Sequence, residues 1–294
     1  MRRLVRTLIV VTVIFLNPVF AVGQDSNTTS DGSETIERQP TELSAPDESV
    51  RTDRELKNSE VVRLVAHAAG GIDGHVYTNC LEALDHNYGL GMRYFEIDLD
   101  WTTDGHLVLI HGWGATFKEW FQGAEQNKRP SLAEFKMMPM KHGMTSMTMT
   151  DLYAWLENHK DASIITDVKS SANIDGLQKI SESAPDRSRF IPQIYYCNEY
   201  EPAIKLGFNR VILTLYRTDV TKDELLSFIK DHTLFAITMP MYRALEHDLA
   251  TALDAEGIFV YVHTINFRHM WPNLKAHGVR GLYTDFLTFE DIRE

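Results

Sequence analysis

The sequence predicts an α/β fold, a single (β/α)8 TIM barrel with a small insertion after the second strand. Eight short β-rich runs alternate with helix-like segments, and residues 61–294 are an ordinary length for one such barrel. A doubly wound open sheet is the alternative fold. It is less favoured because AAGGID, after the first predicted strand, lacks the glycine spacing of a dinucleotide-binding loop.

The elements follow one another with little interruption. The predicted strands are VVRLVAH (61–67), RYFEIDL (93–99), ASIITDV (162–168), RFIPQIYY (189–196), RVILTLY (210–216), TLFAITM (233–239), IFVYVHT (258–264) and RGLYTD (280–285). The helix-like segments between them are NCLEALDHNYG, MTDLYAWLENHK, NIDGLQKISESA, TKDELLSFIKDH, YRALEHDLATALDAEG and NFRHMWPNLKAHG. Such alternation favours parallel strands joined by helical crossovers.

Residues 112–146 interrupt this order with GWGATFKEWF, a polar stretch and a Met-rich run. We expect them to form the small insertion, placed at the mouth of the barrel. Their Met and aromatic side chains are interpreted as local packing. In an exported enzyme of lipid-related chemistry they would also allow contact with an apolar substrate. A transient contact of the protein with an envelope or membrane surface is a separate expectation, assigned to no particular residues.

Residues 1–23 have the organisation of a secretory signal peptide. The basic segment MRRLVR precedes the apolar run LIVVTVIFL (residues 8–16), and small residues follow up to position 23. An uncleaved anchor needs about 20 apolar residues, and an Asn-Pro pair interrupts this run. We therefore expect export to the periplasm or medium. There Cys80 and Cys197 could pair, although their loops lie far apart in the predicted strand order.

Residues 24–60 are predicted to be a disordered acidic spacer before the barrel at 61–294. They contain ten acidic and four basic residues and almost no large apolar side chain. The formal net charge of the whole chain is −12, which argues against nucleic acid as the main partner. Phosphate chemistry stays open, because a divalent cation can supply positive charge locally.

Polar residues recur at the carboxyl ends of the predicted strands, where TIM-barrel enzymes place their reactive groups. The alternation in FEIDLD puts Glu96, Asp98 and Asp100 on one face of a strand. An unpaired buried charge costs several kcal/mol, so these acids need a compensating partner. Asp100 lies one pleat further out and is expected to stabilise the turn that follows. The other strand-end candidates are His67, His111, Asp167, Lys169, His263 and Asp285.

Each candidate alone has a plain structural interpretation, as a hydrogen-bonded histidine, a capping aspartate or an ion pair. Together they are harder to explain that way, because Glu96, Asp98 and Asp167 in one cavity would repel one another. A hard divalent cation, Mg²⁺ or Ca²⁺, bound through oxygen ligands would remove that repulsion. His67 and His111 are suited to moving protons near neutral pH.

Several blocks of the sequence resemble successive signature blocks of the glycerophosphodiester phosphodiesterase family, among the phosphatidylinositol-phospholipase-C-like barrels. They are LVAHAAGG, YTNCLEAL, FEIDLDWTTDGHLVLIHG, TDVKS, YVHTIN and HGVRGLYTDF. The most specific is E-I-D followed by T-x-D-G, an apolar strand and His. The resemblance implies a metal-dependent phosphoric diester hydrolase that acts on a small phosphodiester or a phospholipid-derived substrate.

Carried over position by position, the resemblance implies a role for each residue. The acid/base pair is His67 and His111, the metal ligands are Glu96, Asp98 and Asp167, and the substrate contacts are Lys169 and His263. Ala68 stands where the family has a phosphate-binding arginine, His263 replaces a tryptophan, and Thr78 replaces an acid before Asn79. These departures keep the metal ligands and histidines and indicate a divergent exported branch.

Three other functions stay open at this point. A phospholipase-type lyase would stop at a cyclic phosphate, and a non-catalytic barrel would bind a phosphodiester without turnover. A glycosidase would use Glu96 and Asp167 as its carboxylate pair.

Overall fold

The computed structural model describes residues 63–169, 173–246 and 248–293. The segments interpreted as a signal peptide (1–23) and an acidic spacer (24–60) lie outside these residues. The described strands are β1 (Arg63–Ala66), β2 (Tyr94–Trp101), β3 (Leu107–Leu109), β4 (Ser163–Val168), β5 (Phe190–Ile194), β6 (Ile212–Thr214), β7 (Ala236–Pro240), β8 (Val260–His263) and β9 (Gly281–Thr284).

All of the described strands except β3 are parallel to their neighbours, and the pairing of β1 with both β9 and β2 closes the ring. Strand β3 forms an antiparallel hairpin with the outer end of β2. The prediction of a (β/α)8 barrel with an insertion after its second strand is therefore confirmed. A closed barrel leaves no unpaired sheet edge in its wall.

Helices cover the outside of the barrel. The described helices are α1 (Leu81–Gly89), α2 (Ala115–Trp120), α3 (Leu132–Met137), α4 (Met149–Asn158), α5 (Asn173–Ser183), α6 (Tyr200–Lys205), α7 (Lys222–Asp231), α8 (Met241–Leu245), α9 (Leu249–Ala255) and α10 (Trp271–Ala276). Capping boxes at Ser131, Thr148 and Thr221 fix where α3, α4 and α7 begin. No helix in the described ranges is long and apolar enough to span a membrane.

The lower part of the barrel interior, here called the barrel floor, is a compact apolar cluster. Its members are Val65, Ile165, Ile191, Ile212, Phe235, Ala236, Phe259, Tyr261 and Tyr283. Arg63 lies against it at the amino-terminal end of the strands, with its guanidinium carbon 4.8 Å from the centre of the Phe259 ring. The residues between these positions face the helices and belong to the larger outer core. The barrel is thus filled by side chains and is not a pore.

The next inward positions toward the carboxyl ends of the strands are polar, and they form what we call the barrel mouth. They are His67, Glu96, Asp98, Asp167, Tyr195, Tyr216, His263 and Asp285. Each lies an even number of residues from a floor position or from another residue of the mouth on the same strand, so the two-residue alternation of a strand sends it inward. One alternation therefore builds both the apolar floor and the polar mouth.

The segment after β3 packs through its aromatic side chains. Phe117 lies 5.0 Å from Trp113 and 5.1 Å from Phe121, ring centre to ring centre, and all three are buried. Before β3, the turn is held by Thr102, whose hydroxyl donates to Asp104. The expectation that Asp100 stabilises this turn is wrong, because its carboxylate accepts the backbone N–H of Trp101.

Candidate active site

The loop after β1 brings backbone and imidazole together at the mouth. His67 begins a short 3₁₀ turn, and Ala68 and Ala69 adopt left-handed backbone angles, with φ of 49° and 73°. This turn aims the backbone N–H of Ala68 at Glu96 Oε2, at 2.7 Å. Asn87 of α1 fixes the loop by donating to the carbonyls of Ala69 and Gly71. The first loop is therefore held around the acid that it contacts.

Three buried carboxylates meet at the centre of the mouth. One oxygen each of Glu96, Asp98 and Asp167 lies within 4.8 Å of the others. The parallel register pairs Asp98 of β2 directly with Asp167 of β4, which explains how residues far apart in sequence meet. Within the described ranges, Glu96 Oε1 is buried without a hydrogen-bond partner. This all-oxygen donor set with an unpaired buried oxygen fits a hard divalent cation.

Neighbouring side chains hold these acids in place. Asn79 donates to Asp98 Oδ2 at 2.7 Å and accepts the Asp98 backbone N–H at 3.0 Å. The buried Tyr195 hydroxyl donates to Asp167 Oδ1. Lys169 Nζ lies 2.5 Å from Asp98 Oδ1 and 2.6 Å from Asp167 Oδ2. The predicted substrate contact at Lys169 is therefore an integral member of the carboxylate cluster.

The charges of the cluster perturb one another strongly. Burial and the negative charge of Asp98 raise the pKa of Glu96 to about 8. Burial also disfavours charge on Asp98, but Lys169 and the two histidines outweigh it and hold the pKa of Asp98 below its ordinary value. The acids in turn outweigh burial at Lys169 and raise its pKa well above the usual range. At Glu96, His67 and Lys169 together therefore do not offset burial and the negative charge of Asp98.

The two candidate acid/base histidines have opposite electrostatic environments. Burial lowers the pKa of His67, but a 2.9 Å hydrogen bond with Asp285 and the charges of the nearby acids raise it to about 9. Burial lowers the pKa of His111 below its ordinary value. Tyr77 lies between them, with ring centres 4.8 Å from His67 and 4.7 Å from His111. Near neutral pH the site therefore has one proton donor and one proton acceptor.

His263 occupies another side of the mouth. Its Nδ1 lies 2.9 Å from the hydroxyl oxygen of Thr238, and its ring is edge-on to Tyr216 at 5.6 Å. Burial lowers the pKa of His263 to about 4, so the ring is neutral. It can accept or donate a hydrogen bond to a substrate but brings no charge.

Asp285, which was named among the strand-end candidates but given no role, pairs with His67, and its second oxygen accepts from Asn266 at 2.6 Å. Sequence reasoning missed other residues that contact the catalytic candidates. Tyr195 and Tyr216 continue the inward alternation of β5 and β6, and that register could have identified them. Tyr77 lies in a loop with left-handed backbone, where no periodicity marks it. Cys80 and Cys197 are both free thiols.

Comparison with known proteins identifies the class of this barrel as a phosphodiesterase. The family model described as "Glycerophosphoryl diester phosphodiesterase family" matches residues 70–288. The chain belongs to this family, as its sequence blocks predicted. It is an enzyme with glycerophosphodiester phosphodiesterase activity, a phosphoric diester hydrolase. No curated protein sequence matches the chain.

Solved structures show the same barrel. The glycerophosphodiester phosphodiesterase of Thermotoga maritima has a TM-score of 0.61 and 18% identity, over 76% of this chain and 94% of that one. A glycerophosphodiester phosphodiesterase of Parabacteroides distasonis has a TM-score of 0.62 and 16% identity, over 78% of this chain and 94% of that one. An Oleispira antarctica phosphodiesterase was solved with its product sn-glycerol-3-phosphate. It has a TM-score of 0.62 and 14% identity, over 78% of this chain and 95% of that one. At these identities the likeness concerns the fold.

Proposed function

We propose that this enzyme is a metal-dependent hydrolase of a small phosphodiester or a phospholipid-derived substrate. The observation that carries the proposal is a buried three-carboxylate cluster with two histidines near it, one on each side of Tyr77. The family match supports the reaction class, and its members generally use a divalent cation. The family match gives no support to the alternative that the protein is a glycosidase.

Glu96, Asp98 and Asp167 are the proposed ligands of Mg²⁺ or Ca²⁺. When bound, such a cation supplies Lewis-acid stabilisation of the charge that develops on a non-bridging phosphate oxygen. Asn79 and Tyr195 keep two of the carboxylates oriented through their hydrogen bonds. Lys169, already between Asp98 and Asp167, provides a second positive charge that a phosphate oxygen can approach.

The histidines are proposed to move the protons. His111, neutral near pH 7, takes a proton from the attacking hydroxyl group. His67, kept protonated by Asp285, gives a proton to the leaving alkoxide as its bond to phosphorus breaks. Tyr77 lies between the two rings and contacts both. Attack by water gives hydrolysis directly, whereas attack by a substrate hydroxyl gives a cyclic phosphate first.

The experiment is a screen of purified protein against phosphodiesters with and without chelator, followed by phosphorus NMR. We expect turnover that chelator abolishes and Mg²⁺ or Ca²⁺ restores. A cyclic phosphate as the final product would replace hydrolysis by the lyase alternative. Binding of phosphodiesters without turnover in any metal would leave only a non-catalytic barrel.

We also propose that the enzyme is exported and contacts an envelope or membrane surface transiently. Supporting this, residues 1–23 have a signal-peptide pattern, and exposed aromatic residues follow the carboxyl ends of five consecutive described strands. They are Tyr196, Tyr216, Tyr242, Phe267 and Phe286. Aromatic side chains are favoured at the boundary between membrane and water.

This surface proposal has a direct test in co-sedimentation with phospholipid vesicles. Phe267→Ala combined with Tyr242→Ala should release the protein from vesicles and leave turnover of a soluble phosphodiester unchanged. Leu90→Ala is the matched control, because Leu90 is exposed between the end of α1 and the start of β2, at the opposite end of the strands from these aromatic residues. Equal sedimentation of all variants would contradict the proposal.

A further inference from the structure

Arg217 is a half-buried guanidinium at the barrel mouth that makes no hydrogen bond or ion pair to another described residue. It follows Tyr216, just past the carboxyl end of β6. Its guanidinium carbon lies 4.0 Å from the centre of the Tyr195 ring and 5.0 Å from that of Tyr216. Within residues 63–169, 173–246 and 248–293 it makes neither an ion pair nor a hydrogen bond. Its aromatic stacking leaves the N–H donors at the guanidinium edge free to bind a ligand.

The loop that carries Arg217 is held by a different arginine. Arg243 of α8 donates to the backbone carbonyls of Leu215, Thr218 and Val220 at 3.0, 2.7 and 2.6 Å. These bonds fix the backbone on both sides of Arg217. Structural support of the loop therefore does not require Arg217. A charged side chain on a fixed loop loses less freedom on binding than one on a mobile loop.

The position of Arg217 connects it to the catalytic centre. The Tyr195 ring under it is 1% exposed, and its hydroxyl donates to Asp167. The Arg217 guanidinium is thus separated from Asp167, a proposed metal ligand, by the ring of Tyr195. On the same side of the mouth, Tyr216 contacts the ring of His263. By contrast, the loop after β1 offers only the buried methyl group of Ala68, whose N–H is already bonded to Glu96.

We propose that Arg217 forms an anion-binding subsite for the substrate, and that it binds phosphate oxygens through its free guanidinium edge. This inference rests on the proposed function, which brings a phosphodiester to the neighbouring carboxylate cluster. The bound oxygens belong either to the scissile phosphodiester or to a second anionic group of the same substrate. In either case Arg217 is a substrate contact that the family's sequence blocks did not include.

The test compares Arg217→Gln and Arg217→Lys with Arg268→Gln, a control at an exposed arginine beyond β8. Inorganic phosphate binding to the metal-loaded protein is measured by calorimetry, and KM and kcat are measured with phosphodiesters. We expect Arg217→Gln to weaken phosphate binding and raise KM about 10- to 150-fold, equivalent to about 1.5–3 kcal/mol, because it removes a charge-assisted hydrogen bond. Arg217→Lys should restore part of the loss, and Arg268→Gln should change neither quantity.

Substrates distinguish the two sources of the anionic oxygens. A rise in KM for every phosphodiester, together with weaker phosphate binding, assigns Arg217 to the scissile group. A rise confined to substrates with a second acidic group assigns it to that group.

Two results would overturn the subsite. One is unchanged phosphate binding and KM in Arg217→Gln. The other is loss of metal affinity, with phosphate binding restored at saturating metal, which would make Arg217 a positioning residue for Tyr195 and Asp167. Phosphate calorimetry needs no turnover, so an inactive wild-type protein would contradict the proposed function and leave this measurement decisive for the subsite.

Discussion

The floor and the mouth of the barrel share the same strands and have opposite energetics. At the floor, Ile165 and Ile212 are fully buried against other apolar side chains and stabilise the fold. Two residues beyond Ile165, Asp167 is buried beside two further acids, where like charges oppose one another. The comparison shows that the barrel derives its stability at one end and places unfavourable charge at the other. The proposed divalent cation would offset this repulsion.

The two proposed acid/base histidines, His67 and His111, should give the largest effect on catalysis. His67→Ala or His111→Ala removes one end of the proton path and should lower kcat by about 10²–10⁴-fold each. The double variant should lose little more, because residues that act as a unit are not additive. Steady-state kinetics at saturating metal is the measurement. Losses that multiply in the double variant would show that the two rings act independently.

A matched pair of variants separates the contribution of the barrel floor to stability from that of the barrel mouth to metal binding. Ile165→Ala at the floor should reduce the free energy of unfolding by about 2–5 kcal/mol, because it leaves a cavity, with little effect on metal affinity. Glu96→Gln at the mouth should do the reverse and weaken metal binding with little loss of stability, because the raised pKa of Glu96 means that its charge is already disfavoured in the fold. Denaturant unfolding and metal titration of both variants check this. A large loss of stability in metal-free Glu96→Gln would break the comparison.

Lys169 tests whether the positive charge of the mouth serves the substrate. Lys169→Ala should lower kcat/KM by about 10²-fold, equivalent to roughly 3 kcal/mol of transition-state binding. Metal affinity should be unchanged or improved, because a neighbouring positive charge is removed. The ion pairs with Asp98 and Asp167 suggest the competing role of holding the acids. Near-normal kcat at excess metal would favour that role.

The Asp285→Asn variant should give the smallest effect, a change in the pH dependence of kcat/KM. Asp285→Asn removes a negative charge that raises the pKa of His67, so this pKa falls toward its ordinary range. Because His67 must be protonated to act as the acid, the alkaline limb of the kcat/KM profile should move to lower pH by about one unit, or about 1.4 kcal/mol. An unchanged alkaline limb would remove His67 from the role of acid.

The sequence predicted those parts of the molecule that depend on local periodicity. Alternation in β2 identified Glu96 and Asp98, and alternation in β4 identified Asp167, because a strand repeats every two residues. The bond between His67 and Asp285 depends on closure of the ring between its first and last strands, which no local pattern encodes. The position of Arg217 over Tyr195 likewise depends on neighbouring strands and a fixed loop.

The central claim is that Glu96, Asp98 and Asp167 hold one divalent cation that turnover requires. Its most direct test is titration of metal-free protein with Mg²⁺ and with Ca²⁺, followed by calorimetry and by phosphodiester turnover in the same samples. We expect one cation per chain, with turnover rising in proportion to its occupancy, and a much weaker site in Asp98→Asn. Full phosphodiester turnover in excess chelator would contradict the claim.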